Sequence, residues 1–310
     1  MNIKNNVLIV GFGSFGRESL VSLKKYGLKY TAILVEDNNA AKPLDHDVDI
    51  GIQLPPIPTP DYTQQLNDLD DPYFFDLDAP YWQQVMSKVD LSLLTHVFLI
   101  GDMQQNTVAH GMSAFAQAMR LSSVLTFSFY TTSYEHLDQN TAVNYVSAIE
   151  AVREYSHLST NIILSADELK ANKVNAVAGE ARAYIENFSR SLLFNIENGF
   201  RRVTDNNINE EISMDFSDII SGNEMMNARF VNAKNQSLAV AVDEALSTVT
   251  ERNPQSIVIN IFGDSNNDDL ANEVLTKVQT DLSPGEIWFG AHRTKPIDNN
   301  ETEVSLLLYY

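Results

Sequence analysis

The segment Ser213-Met214-Asp215-Phe216-Ser217-Asp218-Ile219 carries two carboxylates three residues apart, after a long helical pattern and a polar, turn-rich stretch. If a helix starts there, Asp215 and Asp218 face the same way. Carboxylates so placed can polarise one water molecule or hold one cation. They can equally form a helix N-terminus, with Asp215 as N-cap and Asp218 in the first turn against the helix dipole. A second chemically suggestive group lies near the start of the chain. Val7-Leu8-Ile9-Val10 runs into Gly11-Phe12-Gly13-Ser14-Phe15-Gly16, followed by Arg17 and Glu18. G-x-G-x-x-G between a strand and a helix is the pattern that seats a dinucleotide on a helix N-terminus. Glu36 stands at the end of the next apolar run, where a ribose-binding acid belongs. An NAD-binding enzyme or sensor is therefore one reading. The rest of the chain offers no His-Asp or Tyr-Lys pairing in a plausible loop for hydride transfer. Glycines at such a turn also serve close packing alone.

These residues must be positioned by regular elements, and the apolar pattern supplies them. The run Val7–Val10 reads as a buried strand. A helix with Leu20, Leu23 and Tyr26 on one face follows it, and then a strand over Tyr30–Glu36. This βαβ opening predicts a parallel sheet covered on both faces. From Pro43 to Pro80 the pattern breaks down. Pro55, Pro56, Pro58 and Pro60 crowd together ahead of an acidic and aromatic run from Asp68 to Asp78, which reads as a surface excursion of irregular backbone. Tyr73, Phe74 and Phe75 in that run could make a subunit contact.

Alternation then returns. Helices are expected over Trp82–Val89, Val108–Leu121 and Thr141–Tyr155, and strands over Val97–Ile100, Val124–Tyr130 and Asn161–Leu164. A helical region spans Ala176–Phe200, and Arg201–Glu211 reads as polar turns. Ser237–Val249 and Asp268–Leu282 read as helices. Ser256–Phe262, Glu286–Ala291 and Glu303–Tyr309 read as strands. The second half carries no glycine-rich loop and reads as a separate supporting layer. The expected organisation is a Rossmann-type domain over 1–182, a central helix and linker over 183–212, and a smaller α+β domain over 213–310.

Composition narrows the partners. The 310 residues carry a formal net charge of -20, and a like-charged surface disfavours nucleic acid and anionic membrane. There is no cysteine, which excludes disulfides and thiol chemistry and fits a cytoplasmic setting. His46, His96, His110, His136, His157 and His292 show no zinc spacing, so no metal centre is expected. No apolar run reaches the ~18 residues of a membrane span, so no direct membrane insertion is expected.

The order of elements and several motifs resembles the FtsZ/tubulin superfamily, nearest to its bacterial and archaeal FtsZ branch, over nearly the whole chain. Ser213–Ile219 is similar to the family's N-x-D-F-A-D-V synergy loop. Thr132-Ser133-Tyr134-Glu135-His136 lies where the family has F-x-F-E-G. Ile259-Asn260-Ile261-Phe262-Gly263-Asp264 resembles V-N-I-T-G-G, and Leu270-Ala271-Asn272-Glu273-Val274 resembles the helix after it. Ile287-Trp288-Phe289-Gly290-Ala291 resembles I-I-F-G-T. The resemblance implies a head-to-tail filament of like subunits, or assembly with another FtsZ/tubulin-like subunit, and GTP or GDP with Mg²⁺ as ligand. It implies nucleotide contacts from Gly11, Gly13, Ser14, Gly16 and Arg17, from Gly101, Asn106 and Thr107, and from Glu135 toward the sugar. It implies that Asp215 and Asp218 reach into the next subunit's pocket to activate the attacking water.

The departures fall on the chain's own pocket. Where the family carries G-G-G-T-G-T-G, this chain has Gly101-Asp102-Met103-Gln104-Gln105-Asn106-Thr107-Val108-Ala109-His110-Gly111. Consecutive glycines let backbone N–H groups wrap a phosphate with no Cβ in the way. Two glutamines and a valine obstruct that wrap, and Asp102 adds negative charge. Phe15 and Arg17 replace glycines, and Glu18 replaces an asparagine near the base. Ser191 falls at the base-reading aspartate, and Ser213 replaces the first asparagine of the synergy loop. The expectation is a filament-forming protein with weak or absent GTP binding and hydrolysis. The alternatives are a pseudo-GTPase that regulates or caps an active partner, and the NAD-binding protein.

Overall fold

A computed structural model of the chain describes residues 6–37, 49–54, 87, 90–103, 106–132, 139–162, 178–204, 207–214, 225–263, 268–292 and 301–310. It divides into two compact units, Met1–Glu186 with Gly222–Met225, and Asn187–Ser221 with Met226–Tyr310.

The first unit holds strands β1 (Val7–Phe12), β2 (Thr31–Asp37), β3 (Ile50–Leu54), β4 (His96–Asp102), β5 (Leu125–Thr131) and β6 (Leu158–Ile162) in the spatial order β3-β2-β1-β4-β5-β6. Every neighbouring pair among them is parallel. Strands buried on both faces explain why β1 and β4 read as unbroken apolar runs rather than alternating ones. The helices are α1 (Gly13–Lys25), α2 (Asn106–Leu121) and α3 (Gln139–Tyr155). The side chains of α2 and α3 join those of β1 and β4 in one core, where Phe12 meets Phe115 edge-on at 5.9 Å. Ser113 ties the two helices, its hydroxyl donating to the carbonyls of Ala109 and Ala148 at 2.8 and 3.0 Å.

The chain runs from β1 to β2 to β3 on one side and then crosses to β4 on the other. The reversal between β1 and β4 opens a crevice at their carboxyl ends, the place where open α/β sheets bind ligands. The glycine turn after β1 and the Gly101-Asp102 end of β4 both stand there, and Phe12 pairs with Gly101 in register.

Helix α4 (Ala178–Asn198) carries the division between the units, which falls between Glu186 and Asn187. The second unit holds β7 (Phe200–Thr204), β8 (Asn207–Met214), β9 (Met225–Asn235), β10 (Ser256–Phe262), β11 (Glu286–His292) and β12 (Thr302–Tyr309) in the order β9-β12-β10-β11-β7-β8. Its β10–β11 pair is parallel, and the other pairs are antiparallel. Helices α5 (Leu238–Ser247) and α6 (Asp268–Leu282) bury Leu238, Val242, Leu246, Val274 and Val278 in its core. Phe188 and Phe194 of α4 pack edge-on against Phe230 and Phe262 at 5.6 and 5.8 Å. Among the described residues no helix is long and apolar enough to cross a membrane.

Three expectations change. Ile50–Leu54 is a strand inside the proline-rich excursion, held as a short edge by parallel pairing to β2. Arg201–Glu211 is a hairpin of β7 and β8 rather than turns. Backbone pairing there does not need the apolar alternation that marks a half-buried strand. Strand β9 has no contiguous apolar run, yet eight of its residues pair in register with β12. The expected helix at Trp82–Val89 and the contact residues Tyr73, Phe74 and Phe75 lie outside the described residues, except for helical Ser87.

Candidate functional site: a filled glycine turn

The glycines after β1 have two distinct jobs. A Cβ on Gly11 would lie 2.6 Å from the Gly16 carbonyl oxygen, and one on Gly16 would lie 2.6 Å from the Gly11 carbonyl carbon and the Ile100 oxygen. These are backbone atoms that cannot swing aside, so Gly11 and Gly16 let α1 lie directly on β1 and β4. Gly13 makes the turn itself, with φ of 63°. Its missing Cβ leaves room for a neighbouring side chain, since a Cβ there would lie 2.8 Å from a methyl of Val108. Val108 belongs to the first turn of α2 and is almost fully buried. The first turns of α1 and α2 therefore meet, with an isopropyl group between them.

Asp102 closes the same place from the end of β4. The residue is 7% exposed, and Ser14 Oγ donates to its Oδ2 at 2.8 Å. That oxygen also lies 3.5 Å from where a Gly13 Cβ would stand. Gly101 packs beneath, close to Phe12 and Met112. Asn106 and Thr107 are the first two residues of α2. Gln104, Gln105 and Glu135 lie outside the described residues, as do Asp215 and Asp218.

Arg17 is not on a solvated helix face. It is buried and pairs through both arms with Glu36 of β2, Nε donating to Oε1 at 2.6 Å and Nη2 to Oε2. Both oxygens of the acid that the dinucleotide reading assigned to a ribose are thus engaged inside the protein. Sequence reasoning placed the two residues separately and missed their pairing. The usable signal was an opposite-charge pair in a βαβ unit, one member early in the helix and the other at the end of the adjacent strand. Phe15 is buried, as packing on the sheet requires. Glu18 meets Arg182 of α4 at 3.5 Å.

In the second unit, Ser191 is buried and shares a hydrogen bond of 2.7 Å with Ser305. Its neighbour Arg190 pairs with the fully buried Glu303 and lies over the Phe262 ring at 4.6 Å. Lys234 approaches Glu303 at 3.3 Å, and Asn187 donates to Asn232 at 2.9 Å, which donates on to Glu303. Nothing in the sequence pattern marked this network. His110, one turn into α2, is held neutral by burial, its pKa lowered to about 4.

A Val108 methyl and the Asp102 carboxylate stand beside Gly13, at a turn where a phosphate wrap would need open backbone N–H groups.

No protein-family model and no curated protein matches the sequence. Solved structures do match over nearly the whole chain. FtsZ of M. jannaschii, as an empty dimer, is 16% identical at a TM-score of 0.68, covering 100% of this chain and 89% of that one. CetZ2 from Haloferax volcanii, a GTPγS-bound protofilament, is 14% identical at 0.61, covering 98% and 92%. TubZ of Bacillus thuringiensis serovar israelensis, a GTPγS-form protofilament, is 13% identical at 0.56, covering 99% and 87%. The chain has an FtsZ/tubulin-like fold.

Proposed function

From the FtsZ/tubulin-like fold we propose that this chain is a cytoskeletal protein that self-assembles head to tail into filaments, with weak or absent GTP binding and hydrolysis. Support for self-association comes from the matching structures, which include an FtsZ dimer and CetZ2 and TubZ protofilaments. The observation that carries the nucleotide half is the filled turn, with the Asp102 carboxylate and the Val108 methyl against Gly13. In related folds a nucleotide between subunits would tie assembly to hydrolysis. Here two of the chain's own side chains stand against the glycine turn of the crevice, and no hydrolytic step is assigned to it. The resemblance of Ser213–Ile219 to the synergy loop supports a role for Asp215 and Asp218 toward the neighbouring subunit.

A second reading draws on the same contrast between a filled pocket and a retained S-M-D-F-S-D-I segment. The chain would then dock its acidic segment on the pocket of an active FtsZ-like partner, regulating or capping it. Failure to assemble alone, with co-sedimentation in the partner's filaments, would select this reading.

The test is equilibrium binding of GTP and GDP with Mg²⁺ to the purified protein, with NAD as control. The expected result is no saturable binding in the micromolar range for any of the three. Micromolar GTP binding would overturn the pocket half of the proposal, and micromolar NAD binding without self-association would restore the dinucleotide reading.

A further inference from the structure

We infer that Asp102 is the chain's own anion at the junction of two helix N-termini, where it stands in for a phosphate group and excludes one by its charge. The inference rests on the pocket reading above and assigns the exclusion chiefly to one residue.

Helices α1 and α2 start from the carboxyl ends of adjacent parallel strands, and their first turns touch through Gly13 and Val108. The N-terminus of a helix leaves backbone N–H groups without intrahelical partners and carries about half a positive charge. A gap flanked by two such ends favours an anion from both sides. Neither helix supplies that anion itself. Phe12, the N-cap of α1, makes no side-chain cap, and neither α1 nor α2 has an acidic residue in its first turn. The residue that arrives there is Asp102, from the last position of β4, more than nine-tenths buried and held by the Ser14 hydroxyl.

Burying a carboxylate is costly unless fixed dipoles or hydrogen bonds offset it. Ser14 supplies one hydrogen bond, and the field of the two helix ends adds to that offset without any ligand. A phosphate entering the same gap loses this field to Asp102 and meets a like charge at contact distance. At ~4 Å in a partly buried setting, that repulsion weakens binding by on the order of a thousandfold.

The test removes the charge and keeps the shape. Inorganic pyrophosphate is titrated into the full chain, as wild type and as Asp102→Asn, by calorimetry. The expected result is a gain of at least about tenfold in pyrophosphate affinity for D102N. Ser14→Ala, which keeps the carboxylate and loses only its hydrogen bond, is expected to bind as weakly as wild type. A folded D102N that binds no more tightly than wild type overturns the inference, as does tight binding by S14A. If D102N does not fold in chloride buffer, its circular dichroism is followed as pyrophosphate is added at constant ionic strength. Refolding is expected, because the added anion replaces the one removed, and no response overturns the inference. Tight GTP binding by wild type would instead sink the pocket reading itself. Failure of D102N alone leaves that reading standing on Val108.

Discussion

Replacing Arg17 by methionine is expected to destabilise the protein by about 3–5 kcal/mol, the usual loss when one partner of a buried ion pair is removed. Arg17 and Glu36 are 8% and 5% exposed, so water does little to screen either charge. The guanidinium grips both carboxylate oxygens, a fork geometry that Lys cannot copy. At about 4 Å between charge centres and an effective dielectric of 20, the attraction is roughly 4 kcal/mol, and most of it offsets desolvation. Removing one partner abolishes the attraction and leaves the other charge buried. Glu36→Leu should therefore cost about as much as Arg17→Met. The double variant R17M/E36L carries neither buried charge and should recover to within about 1–2 kcal/mol of wild type. The assay is urea unfolding followed by far-UV circular dichroism, with m-values compared so that only midpoint shifts are read as stability. The cycle should show a coupling of at least about 2 kcal/mol. If R17M lies within about 0.5 kcal/mol of wild type, or if the two single losses simply add, the pair is not the structural clamp described above. Arg17 would then return as a candidate ligand contact.

Further outcomes follow from the same geometry. Gly16→Ala should cost at least about 1–3 kcal/mol in urea unfolding, because its Cβ would meet backbone at 2.6 Å on two sides. Ser191→Asp should restore no GTP binding in an equilibrium assay and should lower the urea midpoint, because it buries an unpaired carboxylate beside Ser305. His110 has a folded pKa of about 4 against 6.5 unfolded, so between those values the unfolded chain binds more protons. Its contribution is fully present above pH ~6.5 and is lost as pH falls toward 4, by roughly 3 kcal/mol across the window. His110→Gln should flatten that part of the pH dependence of the urea midpoint.

The parallel half of the fold was legible because strands buried on both faces announce themselves as apolar runs, and the glycine turn marks where β1 ends. The hairpin Phe200–Met214 and strand β9 were not, because their pairing rests on backbone hydrogen bonds, which the side-chain pattern does not mark. At the site, Asp102 and Val108 already stood out as foreign to a phosphate wrap. What the sequence could not show was that they meet at Gly13. The buried pairs Arg17–Glu36 and Arg190–Glu303 were hidden for a similar reason, since partners 19 and 113 residues apart become neighbours only through the sheet. Taken alone, Arg17 and Glu36 read as ligand contacts rather than as partners of each other.

The measurement that tests the account most directly is assembly of nucleotide-stripped protein. Purified chain is treated with apyrase and EDTA, and pelleting and negative-stain electron microscopy are compared with and without GTP and Mg²⁺. Filaments are expected in both conditions, pelleting to the same extent. Filaments that form only with GTP, or a protein that stays monomeric at every concentration, would contradict it.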